Sequence, residues 1–188
     1  MTLPDQLTVA RAASVPIVVL LYSWELPHNE LWATALFIVA MATDWFDGRI
    51  ARSRGVTSPL GSLLDPIADK VLVLAVLVVL VEDGVWPGWM VAAIVARELL
   101  ISGLRLAAIE RGVVIAARDL GKLKTWAQAI AAAVGGFAAA GVWGEAFAWW
   151  ALLVALVLTW VSALDYARVA PSLLRGASTQ PGAAGTSP

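Results

Sequence analysis

Cysteine is absent from the 188 residues, which removes disulfide staples, thiolate metal sites and cysteine nucleophiles together. Histidine occurs once, at His28, so a metal site in this chain must be built from oxygen ligands. Charge is scarce as well: Asp, Glu, Lys and Arg make up 14% of the sequence against 60% hydrophobic residues. With a mean hydropathy of +0.80, this composition places the chain in the membrane class and leaves no room for a separate soluble domain. No internal repeat is present. No small-residue cleavage site follows the first apolar stretch, where Trp24, Glu25 and Leu26 stand, so that stretch is expected to be a retained helix rather than a secretory signal.

What is there is a series of long apolar segments, roughly Leu7 to Trp24, Leu31 to Phe46, Leu60 to Val81, Trp86 to Ala108, Leu123 to Val142 and Ala146 to Val169. Each is long enough, or nearly so, to cross a bilayer, which predicts an all-α integral membrane protein of six transmembrane helices. One domain is expected over residues 1–170. After Pro171 the chain turns to small and polar residues, and 171–188 is expected to be a disordered cytoplasmic tail. With the amino terminus inside, the outer loops hold Glu25, Glu30, Glu82, Asp83 and Glu145 and neither Lys nor Arg, whereas the inner segments carry ten basic residues from Arg49 to Arg175. This asymmetry predicts a multi-pass protein of the cell (inner) membrane. Trp24, Trp32, Trp86, Trp89, Trp143 and Trp149 fall at the outer boundary, as an aromatic belt would.

Four aspartates break the apolar pattern. Asp44 and Asp47 lie three apart, Asp65 and Asp69 four apart, so on helices each pair projects from one face. At a rise of about 1.5 Å per residue from Leu31 and Val81, Asp44 lies roughly 20 Å, Asp47 roughly 24 Å, Asp65 roughly 24 Å and Asp69 roughly 18 Å from the outer boundary. The pairs share one level, nearer the cytoplasmic surface. Four like charges meeting there need a counter-charge, and carboxylate oxygens suit Mg2+ or Mn2+, in a cluster of two ions. The structural alternative is an ion-pair network with Lys70, Arg52 and Arg54.

Asp44, Asp47, Gly48, Ala51, Arg52, Gly61, Asp65 and Asp69, at these separations, resemble the signature of the CDP-alcohol phosphotransferases, membrane enzymes of phospholipid synthesis. The stretches Ala96-Arg97-Glu98-x2-Ile101-Ser102-x2-Arg105 and Gly121-Lys122-x-Lys124-Thr125-x2-Gln128 are similar to the phosphatidylglycerophosphate synthase branch. Asp5 stands where that branch commonly has Asn, which bears on polar contacts at that corner. The resemblance implies metal ligation by Asp44, Asp47, Asp65 and Asp69, with Asp69 also the general base. It implies CDP-diacylglycerol binding by Arg52 and Ser58, close backbone approach at Gly48, and closure of the pocket by Thr8 and Arg11. It further implies a homodimer, membrane lipid as surroundings, and no nucleic-acid partner.

A second set of charges points to the acceptor alcohol. Arg97 lies deep in the fourth segment, Arg105 eight residues on, and Lys122 opens the fifth. A cation at that depth requires an anion, which the phosphate of glycerol 3-phosphate would supply. The reaction implied is transfer of the phosphatidyl group from CDP-diacylglycerol to glycerol 3-phosphate, giving phosphatidylglycerophosphate and CMP. Other readings stay open at this level: Arg97 pairing only with Glu98, Lys122 and Lys124 as positive-inside charges, Thr8 and Ser58 as helix caps. The acceptor could also be inositol phosphate, serine or phosphatidylglycerol, and the aspartates could line the path of a small cation transporter.

Overall fold

The computed structural model describes residues 3–24, 26–54, 59–110 and 119–177. Within these, the side chains at 3–11, 44–54, 59–69, 109–110, 119–120 and 166–177 lie outside the described set. Six helices account for nearly all of it: α1 (Leu3–Ser23), α2 (Asn29–Arg54), α3 (Pro59–Glu82), α4 (Gly88–Glu110), α5 (Asp119–Ala139) and α6 (Glu145–Ala177). The all-helical expectation holds. α2 continues well past Phe46, so Asp44 and Asp47 are inside a helix, and α3 carries Asp65 and Asp69 in its first half. α6 runs through Pro171 to Ala177, beyond the point where composition changes, because a helix can outlast its apolar stretch; residues 178–188 lie outside the described set.

Local chemistry sets the boundaries. α3 starts on Pro59, whose missing N–H costs nothing at a first helical position. It ends in a Schellman turn, with Gly84 at φ 74 donating to Val81 and Val85 donating back to Leu80, both at 3.1 Å. α5 ends the same way, on Gly141 at φ 70, with Gly141 bonded to Ala138 and Val142 to Phe137, both at 2.9 Å. A left-handed residue closes each turn, and glycine adopts it without steric cost. Between α1 and α2, the Asn29 side-chain amide donates to the Tyr22 carbonyl at 2.9 Å, satisfying one of the acceptors that a helix end leaves open.

α5 packs against α6, α2 and α3, α1 against α2 and α3, and α4 against α6 and α3. The core joins Phe37 of α2, Leu72, Leu77 and Leu80 of α3, Met90 and Ile94 of α4 and Leu152 of α6, all essentially inaccessible. The exterior is equally apolar. Trp32 is 67% exposed, Leu99 67% and Phe147 72%, and Leu20, Val39, Val78, Leu104, Ile130, Val154 and Val157 also face outward. A large apolar exterior around a partly polar interior is the arrangement lipid favours, since lipid solvates apolar groups and leaves polar groups to one another. Among the described residues, one stretch is long and apolar enough by itself to cross a membrane, Glu145–Asp165, with mean hydropathy 2.1. α4 and α5 are interrupted by Arg97, Glu98 and Arg105 and by Lys122, Lys124 and Gln128, which lowers their hydropathy.

One expected belt residue is not at the surface. Trp86 is 3% exposed, and its indole N–H donates to the Leu77 carbonyl at 3.1 Å. It is a core anchor of the α3–α4 turn, seated where α5 offers no side chain: a Cβ on Gly135 would lie 2.5 Å from Trp86 Cζ3 and 3.0 Å from Leu80 Cδ1. Trp24, Trp32, Trp89 and Trp143 remain exposed. Gly136 serves a second close approach, since a Cβ there would overlap Thr34 and lie 2.5 Å from the Tyr22 hydroxyl. Those two hydroxyls are hydrogen-bonded at 2.9 Å in the core. Small residues and interhelical hydrogen bonds of this kind hold helices together where lipid supplies no hydrophobic drive.

Gly136→Ala is therefore expected to destabilise the bundle by about 1 to 3 kcal/mol, the usual cost of overpacking a close contact. A thermal melt of the purified protein in detergent checks it. Gly103, which has open space around its Cα, should tolerate alanine with no loss.

Candidate functional site

Three helices change character along one buried stripe. On α4 the buried positions run Met90, Val91 and Ile94, then Arg97 and Glu98. α6 goes from Ala148, Leu152 and Ala155 to Thr159 and Ser162, and α5 from Ala131 and Ala132 back to Gln128 and Lys124. These follow the three- and four-residue steps of a helix face, so the polar groups collect in one layer instead of scattering. Burial accounts for their clustering: a charged or amide side chain in an apolar interior is tolerated only against other polar groups.

Glu98 is the centre of the layer. It is 3% exposed, and its Oε1 accepts from Arg97 Nη1 at 2.9 Å and from Lys124 Nζ. The Gln128 amide lies 3.4 Å away. Its Oε2 faces Lys70 Nζ at 3.5 Å, an ion pair without a hydrogen bond. Lys70, whose side chain is 38% exposed, donates to Ser102 Oγ at 2.9 Å. Arg97, 2% exposed, also donates through Nη2 to Ser162 Oγ at 3.0 Å, and Gln128 donates to Thr159 Oγ1 at 2.8 Å. One carboxylate thus ties α3, α4 and α5 together directly and α6 through its partners.

Among the described residues of this layer, three cations face one carboxylate. Such a surplus is expensive in an apolar surround unless an anion completes it. Two buried donors are still open: Arg97 Nε and Arg105 Nε have no hydrogen-bond partner among the described residues. A phosphate is the kind of group that planar, fixed guanidinium donors meet best.

Of the residues the sequence singled out, the structure brings Arg97 into this layer and leaves Arg105 half-buried on α4. Lys122 is exposed, and it is Lys124 that enters the interior. Residues two apart on a helix do not share a face, so only one of these lysines can turn inward. Glu98, Lys124 and Gln128 stand in the two stretches quoted from the sequence, and Glu98 there is a possible partner of Arg97, but the sequence assigns none of them to the site. The signal was there in Lys124 and Gln128, four apart in an apolar segment, and in Glu98 beside a deep arginine. Asp44, Asp47, Gly48, Arg52, Asp65, Asp69, Thr8 and Arg11 are in α1, α2 and α3, but their side chains lie outside the described residues, and Ser58 lies outside them entirely. Lys70 directly follows Asp69, which links the polar layer in sequence to the carboxylate signature.

The family model described as CDP-alcohol phosphatidyltransferase matches residues 1–161. A Bacillus subtilis protein named CDP-diacylglycerol--glycerol-3-phosphate 3-phosphatidyltransferase is 43% identical over 141 residues, which are 69% of this chain and 73% of that protein. An Escherichia coli protein of the same name is 38% identical over 136 residues, 70% of this chain and 74% of that one. A rice protein named cardiolipin synthase (CMP-forming) is 37% identical over 142 residues, 68% of this chain and 43% of that one.

Lys124→Met keeps the volume of the side chain and removes its charge. The loss of a charge-assisted bond to a buried carboxylate is expected to cost about 2 kcal/mol, less than a full orphaning because Arg97 and Lys70 stay on Glu98. The same change at exposed Lys122, where solvent screens charge interactions, should lower the melting temperature less, and paired thermal melts in detergent measure the contrast.

Proposed function

The chain belongs to the CDP-alcohol phosphatidyltransferase family, and on that premise we propose that it transfers the phosphatidyl group from CDP-diacylglycerol to glycerol 3-phosphate. The products are phosphatidylglycerophosphate and CMP. The observation that supports this reading is the surplus of positive charge around Glu98 among the described residues, where the Nε donors of Arg97 and Arg105 have no hydrogen-bond partner, one residue in sequence from the carboxylate signature. A small phosphorylated alcohol answers that surplus. An enzyme of this family has no need of the ion path that a transporter would require.

In this reading the helices cross the cell membrane six times, the site opens to the cytoplasm, and the protein is a homodimer. Asp44, Asp47, Asp65 and Asp69 would hold Mg2+ or Mn2+, two ions in all. The donor chemistry fits, because four carboxylates on α2 and α3 supply hard oxygen ligands. When bound, divalent ions neutralise the charge of a pyrophosphate and of a departing nucleotide. Arg52 and Ser58 hold the cytidine diphosphate, Gly48 lets it approach the backbone, and Thr8 and Arg11 close the pocket. Arg97, Arg105 and Lys122 receive the acceptor phosphate, with Lys122 at the exposed rim. Asp69 accepts the proton of the acceptor's 1-hydroxyl as that oxygen bonds to the phosphatidyl phosphorus and the bond from phosphorus to the CMP oxygen breaks. The rice relative's name points to a lipid alcohol as the competing acceptor, but a lipid alcohol gives the buried cations of α4 no monoester phosphate to meet.

Two outcomes follow. Asp65→Asn is expected to lower turnover by orders of magnitude, and excess chelator to abolish it, since each removes part of a charge clamp needed only at the reacting centre. A folded Asp65→Asn protein with near-normal rate contradicts the ligand assignment. Arg105→Ala should raise KM for glycerol 3-phosphate by roughly ten- to a hundredfold, about 1.5 to 3 kcal/mol for a charge-assisted bond. KM for CDP-diacylglycerol should move far less; equal shifts in steady-state assays would assign Arg105 to the nucleotide or the fold.

A further inference from the structure

Among the described residues of the polar layer, Glu98 is the charged group that cannot itself receive an anionic substrate. Its carboxylate would repel a phosphate, and its oxygens already face cations of its own chain: Arg97 and Lys124 on Oε1, Lys70 at 3.5 Å from Oε2. Yet it is the most connected residue there. Arg97 is held at two points by two helices, Nη1 by Glu98 at 2.9 Å and Nη2 by Ser162 of α6 at 3.0 Å. A planar guanidinium fixed at two nitrogens has its third donor aimed, and that donor, Nε, is buried and has no partner among the described residues. Lys124 spends one of three donors on Glu98. Without the carboxylate, Arg97, Lys124 and Lys70 would face one another as like charges at low dielectric, and flexible side chains in that situation move apart.

We propose that Glu98 is a positioning residue for the acceptor phosphate: it holds Arg97 and Lys124 in fixed directions and lowers their mutual repulsion, so that the cations meet the phosphate already arranged. The proposal rests on the acceptor reading given above. Preorganisation of this kind reduces the ordering cost of binding, so its loss appears in affinity for the acceptor and leaves the nucleotide substrate alone.

The test is steady-state kinetics of the full-length protein in mixed micelles with CDP-diacylglycerol and the alcohol that the wild-type enzyme prefers, for wild type, Glu98→Gln, Glu98→Asp, Lys124→Met and the double variant Glu98→Gln/Lys124→Met. Glu98→Gln keeps the shape and a carbonyl acceptor but removes the charge. It should raise the acceptor KM by about tenfold, the loss of one charge-assisted contact, with KM for CDP-diacylglycerol within about twofold of wild type on the same scale. Glu98→Asp, which restores the charge, should recover part of that loss. The double variant should cost less than the product of the two single effects, because both changes break the Glu98–Lys124 contact. If Glu98→Gln cannot be purified folded, Glu98→Asp alone decides by a rise in acceptor KM without one for CDP-diacylglycerol. An unchanged acceptor KM, a parallel shift in both KM values, or Glu98→Asp no better than Glu98→Gln would overturn the proposal and make Glu98 a structural residue. A wild-type preference for an alcohol without a phosphate would refute the acceptor reading before any variant is compared, and the positioning role with it.

Discussion

An ionised carboxylate cannot remain in an apolar helix bundle unless cations surround it, and the cations cannot remain there without the carboxylate. Glu98 and its partners meet both conditions at once. The carboxylate on α4 draws Lys124 of α5 and Lys70 of α3 inward and fixes Arg97, while Ser162 and Thr159 extend the layer to α6. The relative rotation of four helices is set by this requirement. A rotation of α5 by the angle between neighbouring residues would turn Lys124 toward the apolar exterior and strip Glu98 of a partner.

The opposite half of the bundle is held differently. There Gly135 and Gly136 let α5 approach closely enough for Trp86 to bury its ring against Leu80 and for Tyr22 to pair with Thr34. Close packing fixes distance and the polar layer fixes rotation. Together they steady α3, the helix that carries Asp65 and Asp69, from Leu72 to Leu80 along its core face and from Lys70 at its charged end. In the proposed reaction those carboxylates must stay where the substrate needs them, and packing of this kind would keep that helix in register.

Much of this was legible in the sequence. The absence of cysteine, the spacing of Asp44, Asp47, Asp65 and Asp69 and the long apolar segments led to an all-helical member of one enzyme family, and the six helices appear where the apolar segments lie. Arg97 was recognised as a cation too deep to be idle. What the sequence hid was which way neighbouring residues turn. Lys122 and Lys124 are equivalent as charges, and only the helix phase relative to α4 makes Lys124 the buried one. Trp86 read as a belt residue because tryptophan at a helix end is at home in an interface; the cavity opposite it is made by Gly135, on a helix distant in sequence. Pairings of that kind depend on tertiary contact, which a linear pattern of hydrophobicity does not encode.

The central claim is that a buried cation layer beside the family's carboxylate signature selects a small phosphorylated alcohol. Its most direct measurement offers purified protein CDP-diacylglycerol with glycerol 3-phosphate, inositol phosphate, serine and phosphatidylglycerol together, in the presence of Mg2+ or Mn2+, and identifies the lipid product by mass. The account predicts phosphatidylglycerophosphate as the dominant product, formed one for one with CMP. Cardiolipin or phosphatidylserine as the main product, or no release of CMP with any alcohol, would contradict it.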